Sequence, residues 1–220
     1  MYESLEKIQK EEKKTNEGKK SYLICKRTID LVASIFGLIV LSPLILIITI
    51  LIKVEDPKGK VFFSQKRVGQ NGKEFYMYKF RSMVSNAEEL KEKLMAQNEM
   101  SGPMFKMKHD PRITKIGRFI RKTSIDELPQ LINVLKGEMS LVGPRPSLPK
   151  EVAQFEPWMM ERLEVKPGLT CYWQVMGRND IGFQEWMKLD LKYVEERNTL
   201  VDIKLIIKTF FVLFGDKSAS

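Results

Sequence analysis

Twenty-two consecutive uncharged residues, Leu31 to Ile52, constrain this chain more than any other feature. Sixteen of them are Leu, Ile, Val or Phe, and Asp30 and Lys53 bound the run. As helix it would measure roughly 33 Å, the thickness of a bilayer core. Moving its large apolar residues into hydrocarbon gains on the order of 5 to 10 kcal/mol before Ser34, Gly37, Ser42, Pro43 and Thr49 subtract some of it. The segment is therefore expected to insert into a membrane. A cleaved signal peptide fits badly, because a mostly polar stretch precedes the run and no small-residue cleavage pattern follows it. A buried core helix fits badly too, since a run this long without a polar face is uncommon in soluble domains.

The flanks bear on how the segment sits. Lys13, Lys14, Lys19, Lys20, Lys26 and Arg27 precede it, and Lys53, Lys58, Lys60, Lys66 and Arg67 follow it. The positive-inside rule places both ends in the cytoplasm. A helix that dips in, bends and returns satisfies this, and Ser42-Pro43 lies at mid-segment, where proline removes a backbone donor. The expectation is a re-entrant helical hairpin kinked at Ser42 and Pro43; an ordinary kinked span is the alternative.

Composition narrows the chemistry. The 220 residues carry 37 Lys and Arg against 28 Asp and Glu, a net charge of +9, and 43% are hydrophobic, enough to bury a core. His109 is the only histidine, and Cys25 and Cys171 are far apart with no CxxC or CxxH companion. A disulfide scaffold, a zinc site and Ser-His-Asp catalysis lack raw material. Catalysis must draw on carboxylates, arginine, lysine or hydroxyls.

Three regions are expected: a polar cytoplasmic arm over 1–30, solvated helix or disordered and without catalytic residues; the re-entrant helix over 31–52; and a cytoplasmic catalytic domain over 53–220. The fold class is α+β, mostly helical. Val61 to Val68 and Phe75 to Met83 read as strands joined by a type I′ turn at Asn71-Gly72. Glu88 to Gln97 reads as a solvated helix ended by Ser101-Gly102-Pro103. Ile113 to Arg121 and Val201 to Phe214 are amphipathic, and pattern alone suits a core-facing or a membrane-lying helix equally.

The chemistry concentrates between Lys106 and Arg145. Asp126 and Glu127 stand before Leu128 to Gly137, which reads as a helix with Gly137 as its left-handed stop. With Asp126 as N-cap, Pro129 falls at the third helical position, and the helix N-terminus would keep Asp126 ionised and leave donors for a phosphate. Adjacent carboxylates point apart, so one can attack while the other binds a cation. Taken alone, the pair reads rather as a plain cap, with Ser124 and Glu127 forming a capping box. Around it lie Arg112, Arg118, Arg121, Lys122 and Gly143-Pro144-Arg145-Pro146, in which the prolines fix where the Arg145 guanidinium points. Carboxylates, arginines and a membrane anchor together suggest phosphate-ester chemistry at a bilayer surface.

These residues, in order, resemble the bacterial sugar transferases, the monotopic phosphoglycosyl transferases that begin polysaccharide assembly on a polyprenol phosphate. The resemblance rests on Lys26-Arg27-x-x-Asp30, Ser42-Pro43, Tyr78-Lys79-Phe80-Arg81-Ser82-Met83, Arg121-x-x-Ser124-Ile125-Asp126-Glu127-Leu128-Pro129-Gln130, and Met139 to Pro146. It continues through Lys166-Pro167-Gly168-Leu169-Thr170, Trp173 to Asp180 and Leu189-Asp190-Leu191.

That resemblance implies transfer of a sugar 1-phosphate from a UDP-sugar to undecaprenyl phosphate, with release of UMP and with Mg²⁺, to initiate exopolysaccharide, capsule or other glycoconjugate synthesis. By motif position Asp126 is the nucleophile of a covalent phosphosugar intermediate and Glu127 the Mg²⁺ ligand. Arg121 and Arg145 bind phosphate, Lys79, Arg81 and Arg112 join them, and Arg178 and Gln174 face the nucleotide. A carboxylate can attack a diphosphate only if a metal and cationic side chains offset the repulsion. The resemblance also implies a re-entrant helix and amphipathic interfacial helices, hence a monotopic protein of the cytoplasmic (inner) membrane whose catalytic domain faces the cytoplasm. Membrane lipid is then a partner, nucleic acid is not, and self-association or downstream glycosyltransferases stay open. A chain of this length is expected to lack the multispan N-terminal domain that many relatives carry.

Cys171-Tyr172 replaces a Gly-Leu-like pair and Met176 a small polar residue, near the expected nucleotide or sugar loop. The stretch from Ala96 to Lys106 looks most like members using UDP-glucose or UDP-galactose. Two other classes compete: a membrane-attached module binding nucleic acid or another anionic ligand, which would tolerate Asp126→Asn but lacks interleaved aromatic and basic residues, and an inert scaffold of the export machinery.

Overall fold

The computed structural model describes residues 2–94, 107, 110–177 and 181–215. Its first elements are α1 (Tyr2–Val40) and α2 (Ser42–Glu55), which bend by 59° between Gly18–Val40 and Ser42–Glu55. The cause is local. Pro43, in the first turn of α2, has no N–H to offer the Ile39 carbonyl one turn back. Ser42 Oγ donates to that carbonyl instead, at 2.8 Å. Leu41 between the helices keeps φ −88° and ψ 1°. The kink thus falls where the Ser-Pro pair places it.

Helix α1 runs unbroken across residue 30, from the polar stretch into the apolar one. The last polar turns dock the helix on the rest of the chain. Lys26 Nζ donates to Asp202 Oδ2 at 2.8 Å, to the Val142 carbonyl at 2.9 Å and to Tyr193 Oη at 3.1 Å. Arg27 donates to the carbonyls of Val134 and Leu135, both at 2.7 Å. Buried Asp30 accepts from Ser140 Oγ at 3.0 Å and the Leu141 N–H at 2.9 Å. The motif Lys26-Arg27-x-x-Asp30 is therefore a docking clasp. Lys26 and Arg27 lend the flank less free charge than a count of basic residues suggests, and Lys53, held by the Pro57 and Gly59 carbonyls, lends less on the other side.

Helix α2 turns Ile48 and Ile52 inward against Phe80 and Ile120. Its other side leaves Leu46, Ile47, Ile50 and Val54 exposed, and α1 exposes Val32, Ile35, Phe36 and Ile39. Among the described residues no single helix is long and apolar enough to cross a membrane, but the bent pair together meets that length and composition.

Strands β1 (Phe62–Val68) and β2 (Glu74–Phe80) form an antiparallel hairpin in which Lys79 pairs with Phe63. The turn has the expected type I′ features: Asn71 and Gly72 take φ of 56° and 75°, and the Lys73 N–H donates to the Gln70 carbonyl. Strand β2 stops at Phe80, and Met83 makes only an isolated bridge to Ile113.

Helix α3 (Ala87–Leu94) lies where a helix was expected, while Ser101-Gly102-Pro103 falls outside the described residues. Helix α4 (Lys115–Lys122) starts with two caps. Thr114 accepts from the Gly117 N–H at 2.9 Å, and Glu55, at the end of α2, accepts from the Lys115 N–H at 2.8 Å. Ile116 and Ile120 face the core and Phe119 is exposed.

Helix α5 (Gln130–Lys136) ends at Gly137, in the expected left-handed conformation at φ 79°. It precedes β3 (Ser140–Val142), α6 (Pro149–Val152), a 3-10 stretch at Pro157–Glu164, and β4 (Gly168–Thr170), which pairs in parallel with β3. Then follow α7 (Tyr172–Met176), α8 (Phe183–Glu196) and α9 (Thr199–Gly215). Helix α9 faces the core with one side, where Asp202 and Leu205 are buried, and leaves Leu200, Ile203, Ile207, Phe210 and Phe211 exposed on the other. The described fold is mostly helical with two two-stranded sheets, an α+β arrangement.

Candidate active site

The dyad sits on one 3-10 turn, Ile125–Glu127, between α4 and α5. Ser124 makes the turn by adopting φ 56°, a left-handed conformation uncommon for a residue with a side chain. Two expectations are corrected here. Asp126 is not the N-cap of α5, which begins at Gln130 with Pro129 as its N-cap, and Ser124 makes no side-chain cap. On this tight turn Asp126 is buried.

Asp126 is 7% exposed, Glu127 half-buried. Lys79 on β2 sets the electrostatics: its ammonium lies 2.6 Å from Glu127 Oε1 and 3.6 Å from Asp126 Oδ2. Burial raises the Asp126 pKa above its ordinary value and the Glu127 charge adds to that, while Lys79, then Arg121 and Arg145, pull it back. Ionisation of Asp126 therefore depends on side-chain cations rather than on a helix dipole.

Asn133 fixes the strand that carries Lys79. Fully buried on α5, it accepts from the Tyr78 N–H at 3.0 Å and donates to the Tyr76 carbonyl at 2.8 Å. One amide side chain thereby locks α5 to the outer edge of β2, beside Lys79.

Arg145 Nη1 lies 3.7 Å from Glu127 Oε1, and its guanidinium stands 6.0 Å from the centre of the Trp173 ring. The loop before it needs two glycines because β3 and β4 touch backbone to backbone: a Cβ on Gly168 would lie 2.1 Å from the Gly143 nitrogen, and one on Gly143 2.3 Å from the Lys166 carbonyl oxygen. Arg121, exposed at the end of α4, is near enough for its charge to act on Asp126.

Other expected phosphate binders are engaged elsewhere. Arg112 is buried and forks onto Asp110 at 2.6 and 2.9 Å. Arg81 pairs with Asp56 at 2.6 Å and Ser85 Oγ at 3.2 Å, closing the turn after α2. Both arginines carry ion pairs, Arg112 with an acid two positions back and Arg81 with one 25 positions back. Gln174 is buried on α7, next in sequence to Trp173. Arg178 lies outside the described residues.

Arg67 and Arg162 escape sequence reasoning. Arg67 figures there only as a flanking charge, yet it donates to the Pro146 carbonyl at 3.0 Å, and burial together with the Arg145 charge lowers its pKa to about 10. Arg162 is 2% exposed and pairs with Asp190 at 2.6 Å. The usable signal was an arginine among Met159, Met160 and Leu163, which demands a buried partner that sequence cannot name.

Dyad, converging cations and bent apolar helix pair together describe one family, and the chain belongs to it: its residues 21–216 match the bacterial sugar transferase family. It is 49% identical over 196 residues to galactosyl transferase CpsE of Streptococcus agalactiae, covering 89% of this chain and 43% of that protein. It is 46% identical over 198 residues to the undecaprenyl-phosphate galactose phosphotransferase of Salmonella typhimurium, covering 88% and 41%. To the exopolysaccharide production protein ExoY of Sinorhizobium fredii it is 38% identical over 190 residues, 84% of each. The chain thus spans under half the length of the first two relatives and most of the third.

Proposed function

We propose that this chain transfers a hexose 1-phosphate, galactose or glucose, from a UDP-sugar to undecaprenyl phosphate and so initiates a polysaccharide or related glycoconjugate. The observation that carries the reading is the buried Asp126 carboxylate, held with Glu127 against Lys79 and faced by Arg121 and Arg145. The relatives' names, a galactosyl transferase and an undecaprenyl-phosphate galactose phosphotransferase, support the sugar and the lipid carrier.

The chemistry closes in two displacements. An Asp126 oxygen attacks the sugar-bearing phosphorus of the donor; the bond to the bridging diphosphate oxygen breaks and UMP leaves with that electron pair. A phosphate oxygen of undecaprenyl phosphate then attacks the same phosphorus, the bond to Asp126 breaks, and the carboxylate is restored. Arg145 and Arg121 bind the donor's phosphates and Lys79 keeps Asp126 ionised, so the nucleophile enters charged while cations offset its repulsion from the diphosphate.

Mg²⁺ fits the dyad, because both carboxylates already converge on one cationic centre, the Lys79 ammonium. Among the described residues no cluster of three or more ligating side chains occurs, which suits an ion that keeps waters and substrate phosphates as ligands. Glu127 would hold it, and the bound ion would neutralise charge on the diphosphate.

The exposed apolar faces of α1, α2 and α9 support a monotopic seat in the cytoplasmic membrane, with the bent pair re-entrant and the dyad on the cytoplasmic side. The test is UMP release from a panel of UDP-sugars with polyprenol phosphate and Mg²⁺ in lipid, beside Asp126→Asn and a chelator. Release with one donor, abolished by both, is expected. No release from any donor by folded protein would overturn the reading.

A further inference from the structure

Proline at 144 and 146 removes two of the loop's own N–H donors, so the segment carrying Arg145 must be tied through its carbonyls. Four consecutive ones are taken, each by a different donor. The Pro144 carbonyl accepts from the Gly168 N–H at 2.9 Å, that of Arg145 from Arg162 Nη2 at 2.8 Å, that of Pro146 from Arg67 Nη1 at 3.0 Å, and that of Ser147 from the Val68 N–H at 2.9 Å.

Arg162 is the costly member of that set. A buried guanidinium gives up its hydration, and a well-packed apolar residue usually serves stability as well or better. Asp190 offsets the charge through Arg162 Nε at 3.0 Å and Nη2 at 2.6 Å, and Arg162 Nη1 donates to Ser147 Oγ at 2.5 Å. Its planar fork thus reaches two points of the loop and its counter-ion at once, a geometry lysine cannot reproduce. A second route runs sideways: Arg162 lies 5.8 Å from the Trp186 ring, Trp186 stacks on Trp173 at 4.7 Å, and Trp173 backs Arg145 at 6.0 Å.

We propose that Arg162 is a positioning residue for the transfer reaction: with Asp190 it fixes the Arg145 carbonyl and the Ser147 side chain so that the Arg145 guanidinium faces Glu127 and the donor's phosphates. This rests on the phosphoglycosyl transfer proposed above. Arg162 itself touches neither substrate nor dyad and acts through Arg145.

The test is a double-mutant cycle of Arg162→Lys with Arg145→Ala, read as kcat/KM for the UDP-sugar. Arg162→Lys alone is expected to lower kcat/KM about tenfold or more, since small misplacements of a binding group are costly. In the Arg145→Ala background the same change should fall to about twofold or less. An equal loss in both backgrounds would mean that Arg162 only stabilises the fold, and would overturn the proposal. Ser147→Ala, which removes one acceptor and keeps the ion pair, serves in place of Arg162→Lys if that variant does not fold. Hydrogen exchange at the Arg145 and Ser147 amides gives a readout independent of turnover. If wild-type protein releases no UMP, the functional reading fails, and faster exchange in Arg162→Lys still supports the loop's dependence on Arg162, whereas unchanged exchange overturns it.

Discussion

Lys79→Met tests the electrostatic logic of the site most directly, because methionine keeps most of the side-chain volume and removes the charge together with its hydrogen bond to Glu127. At 3.6 Å from Asp126 Oδ2, the ammonium contributes about 4 to 5 kcal/mol at an effective dielectric of about 20. Glu127 shares that charge, and Arg121 and Arg145 remain, so a net loss of about 2 kcal/mol is expected, roughly thirtyfold in the protonated-to-ionised ratio of Asp126 at fixed pH. The sign follows from the direction of the shift. Asp126 already titrates above its ordinary range, and the nucleophile must be ionised, so activity falls as pH drops through that raised pKa. Removing Lys79 raises it further. The pH profile of kcat/KM, measured as UMP release, should show its acid limb displaced to higher pH with partial recovery at alkaline pH. An acid limb at the wild-type position, with the rate lowered equally at every pH, would refute the reasoning and make Lys79 a substrate-binding group only.

Asp126→Asn should abolish turnover while leaving thermal stability equal or higher at neutral pH, because the fold favours the protonated carboxyl; a large drop in Tm would contradict that burial cost. Gly117→Ala should destabilise by about 1 to 3 kcal/mol in a denaturation curve, since the new Cβ would meet the Ser82 carbonyl oxygen at 1.9 Å. Helix propensity alone predicts a gain of about 1 kcal/mol, so the sign decides between them. Pro43→Ala, combined with Arg27→Ala and Asp30→Ala to release the clasp that holds α1 on the catalytic domain, restores a donor to Ile39 and should straighten the bend toward a span, moving a cysteine placed at position 5, in a background without Cys25 and Cys171, to labelling from the opposite face of the membrane. Labelling unchanged from the cytoplasmic side would show that Pro43 does not set the topology.

Local chemistry was legible in the sequence, and long-range pairing was not. Proline chemistry at position 43 marked the kink, Asn71-Gly72 the hairpin turn, Gly137 the end of α5, and Asp126, Glu127 and Arg145 the candidate site, because each depends on neighbours along the chain. Arg81 pairs with Asp56, an acid 25 positions back that carries no sequence sign of being its partner. Lys26 and Arg27 looked like membrane-flank charges, yet they close on Asp202 and on carbonyls of α5 more than a hundred positions away. Asp126 could be named as the proposed nucleophile, but its burial on a 3-10 turn beside a lysine from β2 could not be read from the sequence. The sequence by itself determined the apolar run and its bend at Ser42-Pro43, the carboxylate pair and the family. Tertiary structure alone decided which cations face the dyad and which are consumed in holding the fold, because an ion pair is set by distance in space and by desolvation, neither of which is written along the chain.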